Sequence, residues 1–182
     1  MGMKELMKQV SMDQRIKYLH FWGHAPRRDG TIGSSCLSQW WPSPFVVDGV
    51  RYATAEHWMM ASKARLFGDA EAEQKALEAP NPALAKRAGR LVRGFKDETW
   101  VRERFAIVRE GSIHKFGQNE ELRTFLLNTQ QRVLVEASPL DRIWGIGLAA
   151  DDPRAQDPTR WRGQNLLGFA LMEAREALRE GA

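Results

Sequence analysis

One cysteine, Cys36, stands in 182 residues. A single thiol excludes an internal disulfide and any zinc cluster of several thiolates, and it fits a reducing compartment, so a cytoplasmic location is expected. Long apolar runs are missing too. The N-terminal stretch MGMKELMKQVSMDQRIKYLHFWGH carries charges every few positions and has no segment suited to a signal-peptide core or a membrane span. No membrane partner is expected. Internal repeats and low-complexity tracts are absent, as are a GxSxG elbow, a phosphate loop and a dinucleotide fingerprint, so the sequence signals no cofactor. His20 and His24 stand at i, i+4, but Phe-Trp-Gly between them, Pro26 after them and the lack of a converging Cys or carboxylate set argue against a metal site. Cys36 as a nucleophile has only these two histidines nearby in sequence and is a weak reading. An excess of one charge sign is also lacking: 27 Lys+Arg against 23 Asp+Glu give +4, compatible with phosphorylated small molecules and not by itself a nucleic-acid footprint.

What is present suffices for one core. With 43% apolar residues, a single globular domain over 1–182 is expected. Residues 3–18 have a weakly amphipathic helical pattern, and the Gly-, Pro- and Ser-rich stretch after them reads as loop or short strands. PFVVDGVRYAT alternates around Asp48-Gly49 and predicts a hairpin. Thr54 is a candidate N-cap for a helix over 55–67, and DAEAEQKALEA predicts another, stopped by Pro80. Asn81 and Pro82 start a third, Asp97 opens a long one and Asn119 a shorter one. RVLVEAS is the buried-strand candidate, and the chain closes on a helix with Leu167, Leu171 and Leu178 on one stripe. Helices dominate and no βαβ alternation is visible, so the class is mainly α with small β pieces.

The segment TAEHWMMASKARLF, residues 54–67, concentrates chemistry. At 3.6 residues per turn Glu56, Met60, Lys63 and Phe67 share a face, with Glu56 and Lys63 about 10 Å apart along the axis, and can line one wall of a pocket. Equally, Glu56 can complement the helix N-terminus and Lys63 can be solvated, while His57, Trp58, Met59 and Met60 pack in the core. Further on, Lys86, Arg90 and Arg93 follow i, i+4, i+7 spacing, which reads either as a phosphate-binding stripe or as a solvated basic face.

Four stretches in order, PFVVDGVRYATAEHWMMASKA, PALAKRAGR, LVEASPLDRIWGIG and WRGQNLLGFALMEARE, resemble the YbiA-like or NADAR family across about residues 18–180. The resemblance implies a single-domain, orthogonal helical fold with short strands, and an N-glycosidase. Its substrates would be small phosphoribosyl or ADP-ribosyl compounds: phosphoribosylamino-pyrimidine intermediates of riboflavin synthesis, or ADP-ribosyl adducts on guanine, ADP-ribosylated nucleic acid included. One departure is visible, LSQWWPSPF where many members read F-S-N-F before Pro-Phe, so the pocket mouth near Gln39 to Trp41 and the substrate can differ. Breaking an N-ribosidic bond passes through an oxocarbenium-like state, which a carboxylate such as Glu56 stabilises directly or by orienting water. Asp141 is the second acid in a family motif, read as a partner of the leaving nitrogen or as a turn former after Pro139. Trp144 can stack on a flat base, with Gly145 allowing close approach, or fill the core. Asn165, in the family's G-x-N-x-L-G element, can bind ribose hydroxyls or cap the last helix. Lys63 joins Glu56 and Asp141 as a catalytic candidate; Lys86, Arg90 and His57 complete the expected substrate-binding set, with Arg90 favoured by the resemblance to point inward. The oligomeric state is left open.

Overall fold

Short polar side chains start three successive helices, as their positions in the sequence require. In the computed structural model, which describes residues 1–181, the Thr54 hydroxyl accepts the His57 N–H and opens α2 (Ala55–Leu66). Asp69 accepts from Ala72 and opens α3 (Ala70–Leu77), and Asn81 accepts from Leu84 with Pro82 at the first position of α4 (Pro82–Arg90). The long α5 (Asp97–Gly117) has no side-chain cap and instead places Asp97 and Glu98 in its first turn, where the helix dipole favours carboxylates. Helix α1 (Met3–Ser11) is shorter than the 3–18 expected, because the chain turns at Asp13 into the left-handed region at φ +52°. Helices α6 (Glu120–Asn128) and α7 (Leu166–Glu180) complete a mainly helical set.

Strands are few and short among the described residues. The hairpin of β2 (Phe45–Val47) and β3 (Val50–Tyr52) turns through Asp48 and Gly49, both at positive φ, as a two-residue connection with strand-matched twist needs. The second pair differs from expectation: β4 (Val133–Glu136) lies parallel to β1 (Tyr18–Phe21), in register from Tyr18 opposite Val133 to Phe21 opposite Glu136. A single crossover that spans most of the chain leaves no local βαβ pattern to read.

By internal contacts the chain forms two compact units, 39–120 and the combination of 1–38 with 121 onward. In the 39–120 unit α2 is central and packs against α3, α4 and α5. Two glycines permit this: a Cβ on Gly89 would collide with Met60 and one on Gly111 with the Trp58 ring. Trp58 also stands edge-on to Tyr52 at 5.0 Å and donates its indole N–H to the Ile107 carbonyl at 2.8 Å. In the other unit α7 covers β4, with Leu167 and Leu171 buried and Gly168 lying where any Cβ would strike the Leu134 carbonyl.

Candidate active site

Glu56, His57, Lys63, Lys86 and Arg90 belong to the 39–120 unit. Glu56 stands in the first turn of α2 with only 3% of its surface exposed, and its N–H donates to the Gln39 carbonyl at 3.0 Å. Burying a carboxyl costs free energy unless it is partnered. Lys63, on the same face, is half-buried: its Nζ sits 4.3 Å from the Phe95 ring centroid and 5.3 Å from that of Trp100. Burial pushes its pKa below the ordinary 10.5, and the Asp97 carboxylate opposes that shift. Phe67 stands edge-on to Phe95 at 5.2 Å, so it backs the lysine's aromatic support.

Met60 lies between the two on this face, and Gly89 of α4 lies against it. Contact there brings α4 onto the Glu56–Lys63 side of α2, with Lys86 one turn before the glycine and Arg90 directly after it. The Lys86 Nζ is 5.9 Å from the Trp40 ring centroid, and Trp40 follows the residue that holds the Glu56 N–H. The Glu56 carboxyl, two amines and the rings of Trp40, Phe67, Phe95 and Trp100 therefore border one side of α2. Arg90, expected to point inward, is exposed. The three-cation stripe is also shorter than its spacing suggested, because α4 ends at Arg90 and Arg93 binds the Asp69 carboxylate through its backbone N–H at 2.8 Å and its guanidinium at 2.7 Å. That pairing holds Asp69 well below the usual carboxylate range.

His57 is buried with both ring nitrogens engaged inside the unit. One lies 2.9 Å from the Ala79 carbonyl and so carries the proton, and the other is 2.8 Å from the Thr54 hydroxyl. Burial keeps its pKa below the ordinary 6.5. The ring thus ties the start of α2, beside Glu56, to the chain after α3.

Asp141, Trp144, Gly145 and Asn165 belong to the other unit, where Gly145 and Asn165 lie against the C-terminal end of β4. Asp141 Oδ1 accepts the N–H groups of Ile143 and Trp144, each at 2.8 Å, and so forms the turn that presents the half-buried Trp144. Close approach at Gly145 is by backbone: a Cβ there would stand 2.8 Å from the Glu136 carbonyl oxygen. Asn165 is fully buried at φ +52° and makes no side-chain cap. Its amide instead donates to the Leu134 carbonyl and accepts the Glu136 N–H, both at 2.9 Å, stapling α7 to β4.

Sequence reasoning missed Phe95 and Trp100, which lie too far along the chain for any helical period to link them with Lys63. It noted Trp40 only as a departure from a family pattern. It also missed Lys115, almost fully buried in α5 with its Nζ 4.9 Å from the Phe116 ring centroid. Among the described residues no group of three or more His, Cys, Asp or Glu side chains could hold a metal ion; His20 lies 3.1 Å from the Ala155 carbonyl. No helix among them is long and apolar enough to cross a membrane.

Comparison with known proteins gives a consistent set of similarities. The family model for the NADAR domain matches residues 20–179. N-glycosidase R617 of Acanthamoeba polyphaga mimivirus is 41% identical over 165 residues, covering 88% of this chain and 95% of that protein. N-glycosidase YbiA of Escherichia coli (strain K12) is 33% identical over 135 residues, covering 74% and 76%. The NMR structure of E. coli YbiA matches with a TM-score of 0.73 at 27% identity, covering 92% of this chain and 88% of that one.

Proposed function

The chain belongs to the NADAR domain family, and from that membership together with the side chains of α2 we infer how it works and on what. It is an N-glycosidase, a hydrolase of N-glycosyl bonds with a small-molecule substrate. We read the finer reaction as hydrolysis of the N-ribosidic bond in a phosphoribosylamino-pyrimidine of the riboflavin-intermediate type. The observation that carries this reading is the buried Glu56 carboxyl at the head of a helix face that also bears the half-buried Lys63. As the C1′–N bond lengthens, positive charge builds on the ribose, and the Glu56 carboxylate offsets it or holds the attacking water. The Lys63 ammonium, supported by two aromatic faces that favour its charged form, holds a phosphate or ribose oxygen. Lys86 adds charge for the phosphate; in the other unit, the role that the family resemblance implies for Trp144 is a flat indole face for a base. Asp141 forms the turn that presents that indole, and its role as a second acid is what the family resemblance implies; Asn165 and Gly145 support the same loop, and His57 supports the head of α2.

A second substrate, ADP-ribose attached to guanine, carries two phosphates, and the exposed Arg90 beside Lys86 favours it by supplying another cation. A module that only binds such nucleotides would have no use for a buried Glu56. We take the two compact units as parts of one domain over 1–182, since one family model runs across both. A cytoplasmic location is in keeping with the single buried thiol. Incubation with each substrate, following released ribose phosphate or ADP-ribose, tests the reading. Equal amounts of free sugar phosphate and free base from the pyrimidine substrate are expected, and release from neither compound contradicts it.

A further inference from the structure

The parallel pair has a second end. Where β1 and β4 begin, in the unit formed by 1–38 and 121 onward, lies a concavity of about 470 Å³ lined by Arg15, Lys17 and Arg132 with the side-chain amides of Gln9, Gln14 and Gln131. None of the candidate catalytic or binding residues lines it, and neither does any Asp or Glu. We propose that this concavity binds a chain of phosphates, as carried by a polyphosphate or a nucleic-acid backbone.

The local structure forces the cations together. The Val133 N–H donates to the Lys17 carbonyl at 2.9 Å and Tyr18 pairs with Val133, so Lys17 and Arg132 leave adjacent chains about 5 Å apart. Arg15 stands two residues before Lys17. Like charges on neighbouring strands are destabilising, and all three side chains are exposed and without an ion pair among the described residues. Acceptors of the loop behind them are already occupied: Arg175 donates to the Arg132 carbonyl at 3.0 Å and to the Thr129 hydroxyl at 2.8 Å, and Arg179 donates to the Gln130 carbonyl at 2.9 Å. Those two guanidinium groups share one carboxylate, Glu176. The lining is thus net cationic, with the Gln130 and Arg132 carbonyls already hydrogen-bonded and glutamines among the lining residues.

Size and composition choose the ligand. The volume suits an extended ligand better than one phosphate ion, since pockets for whole small molecules span about 300–1,000 Å³. With no aromatic ring in the lining, there is no platform for stacking bases, so recognition is of backbone charge.

Fluorescence anisotropy of labelled decathymidylate with the full chain, competed by tripolyphosphate, tests the proposal. Three phosphate contacts to a single strand predict a log affinity against log salt slope near about −2, or roughly a 20-fold loss between 50 and 200 mM salt. Combined Arg15→Gln, Lys17→Gln and Arg132→Gln should weaken binding at least about 10-fold and flatten the salt slope. Thermal stability should not fall, since the like-charge repulsion is relieved, and N-glycosidase turnover should not change. Displacement by tripolyphosphate at matched phosphate assigns the site to short polyphosphates, and resistance to it assigns a nucleic-acid backbone. Wild-type binding or an unchanged slope in the triple variant, with its melting profile intact, overturns the proposal.

Discussion

Lys63 is where charge and covalent chemistry compete. Its position over Phe95 and Trp100 favours the ammonium, while burial lowers its pKa from 10.5 and favours an amine able to attack a ring-opened C1′ as an imine. The rings and Asp97 side with the ammonium, so Lys63→Arg should keep partial turnover and Lys63→Ala should lose most of it. Borohydride added during turnover and read by mass spectrometry checks this. A ribosyl adduct on Lys63 would replace the charge role by the imine, and full activity in Lys63→Ala would remove the residue from the mechanism. The shared face of Glu56 and Lys63 was legible because helix periodicity is local. The Phe95 and Trp100 support was not, because it depends on how the segment before α5 and that helix's first turn pack back on α2. Asp141 and Asn165 were visible as motif residues, yet their bonds go to backbone groups that only the folded chain brings near.

At the scale of elements, caps and turns were the most readable part. Thr54, Asp69, Asn81 and Asp48-Gly49 each act within a few residues of themselves, so their sequence signal is complete. The start of α7 depends instead on a distant strand. Gly168 and Asn165 together hold α7 on β4, so the G-x-N-x-L-G element is first an architectural device. Gly168→Ala should destabilise the protein by roughly 3 kcal/mol, since the new Cβ meets a carbonyl oxygen that cannot swing aside. Asn165→Ala should cost about 1–3 kcal/mol for each backbone group it leaves unbonded. Denaturant titration reads both, and a Gly168→Ala variant as stable as wild type would show that the helix and strand separate without cost.

The whole molecule carries a pH dependence whose sign follows from one buried imidazole and two ion-paired carboxylates. His57 is held neutral with its pKa below 6.5, so as pH falls below about 6.5 the unfolded chain takes up a proton that the folded chain refuses, and stability drops. Asp69 and Asp152, paired with Arg93 and Arg154, stay ionised in the folded state below their ordinary 3.8, so a further loss follows there. Melting temperatures between pH 8 and pH 3 should fall in these two steps, and His57→Gln should remove the first; a flat profile through pH 5 would contradict the burial argument. The helical class was readable from composition and periodicity, whereas the parallel pairing of β1 with β4 joins residues more than a hundred positions apart and leaves no local trace. The central claim is that a buried carboxylate at the head of α2 drives hydrolysis of an N-ribosidic bond. Its most direct test is single-turnover release of ribose phosphate from a phosphoribosylamino-pyrimidine by wild type and by Glu56→Gln, with matched melting curves. A loss of several orders of magnitude in a fully folded Glu56→Gln is predicted, on the order of 10³-fold or more, and near-wild-type release would contradict the account.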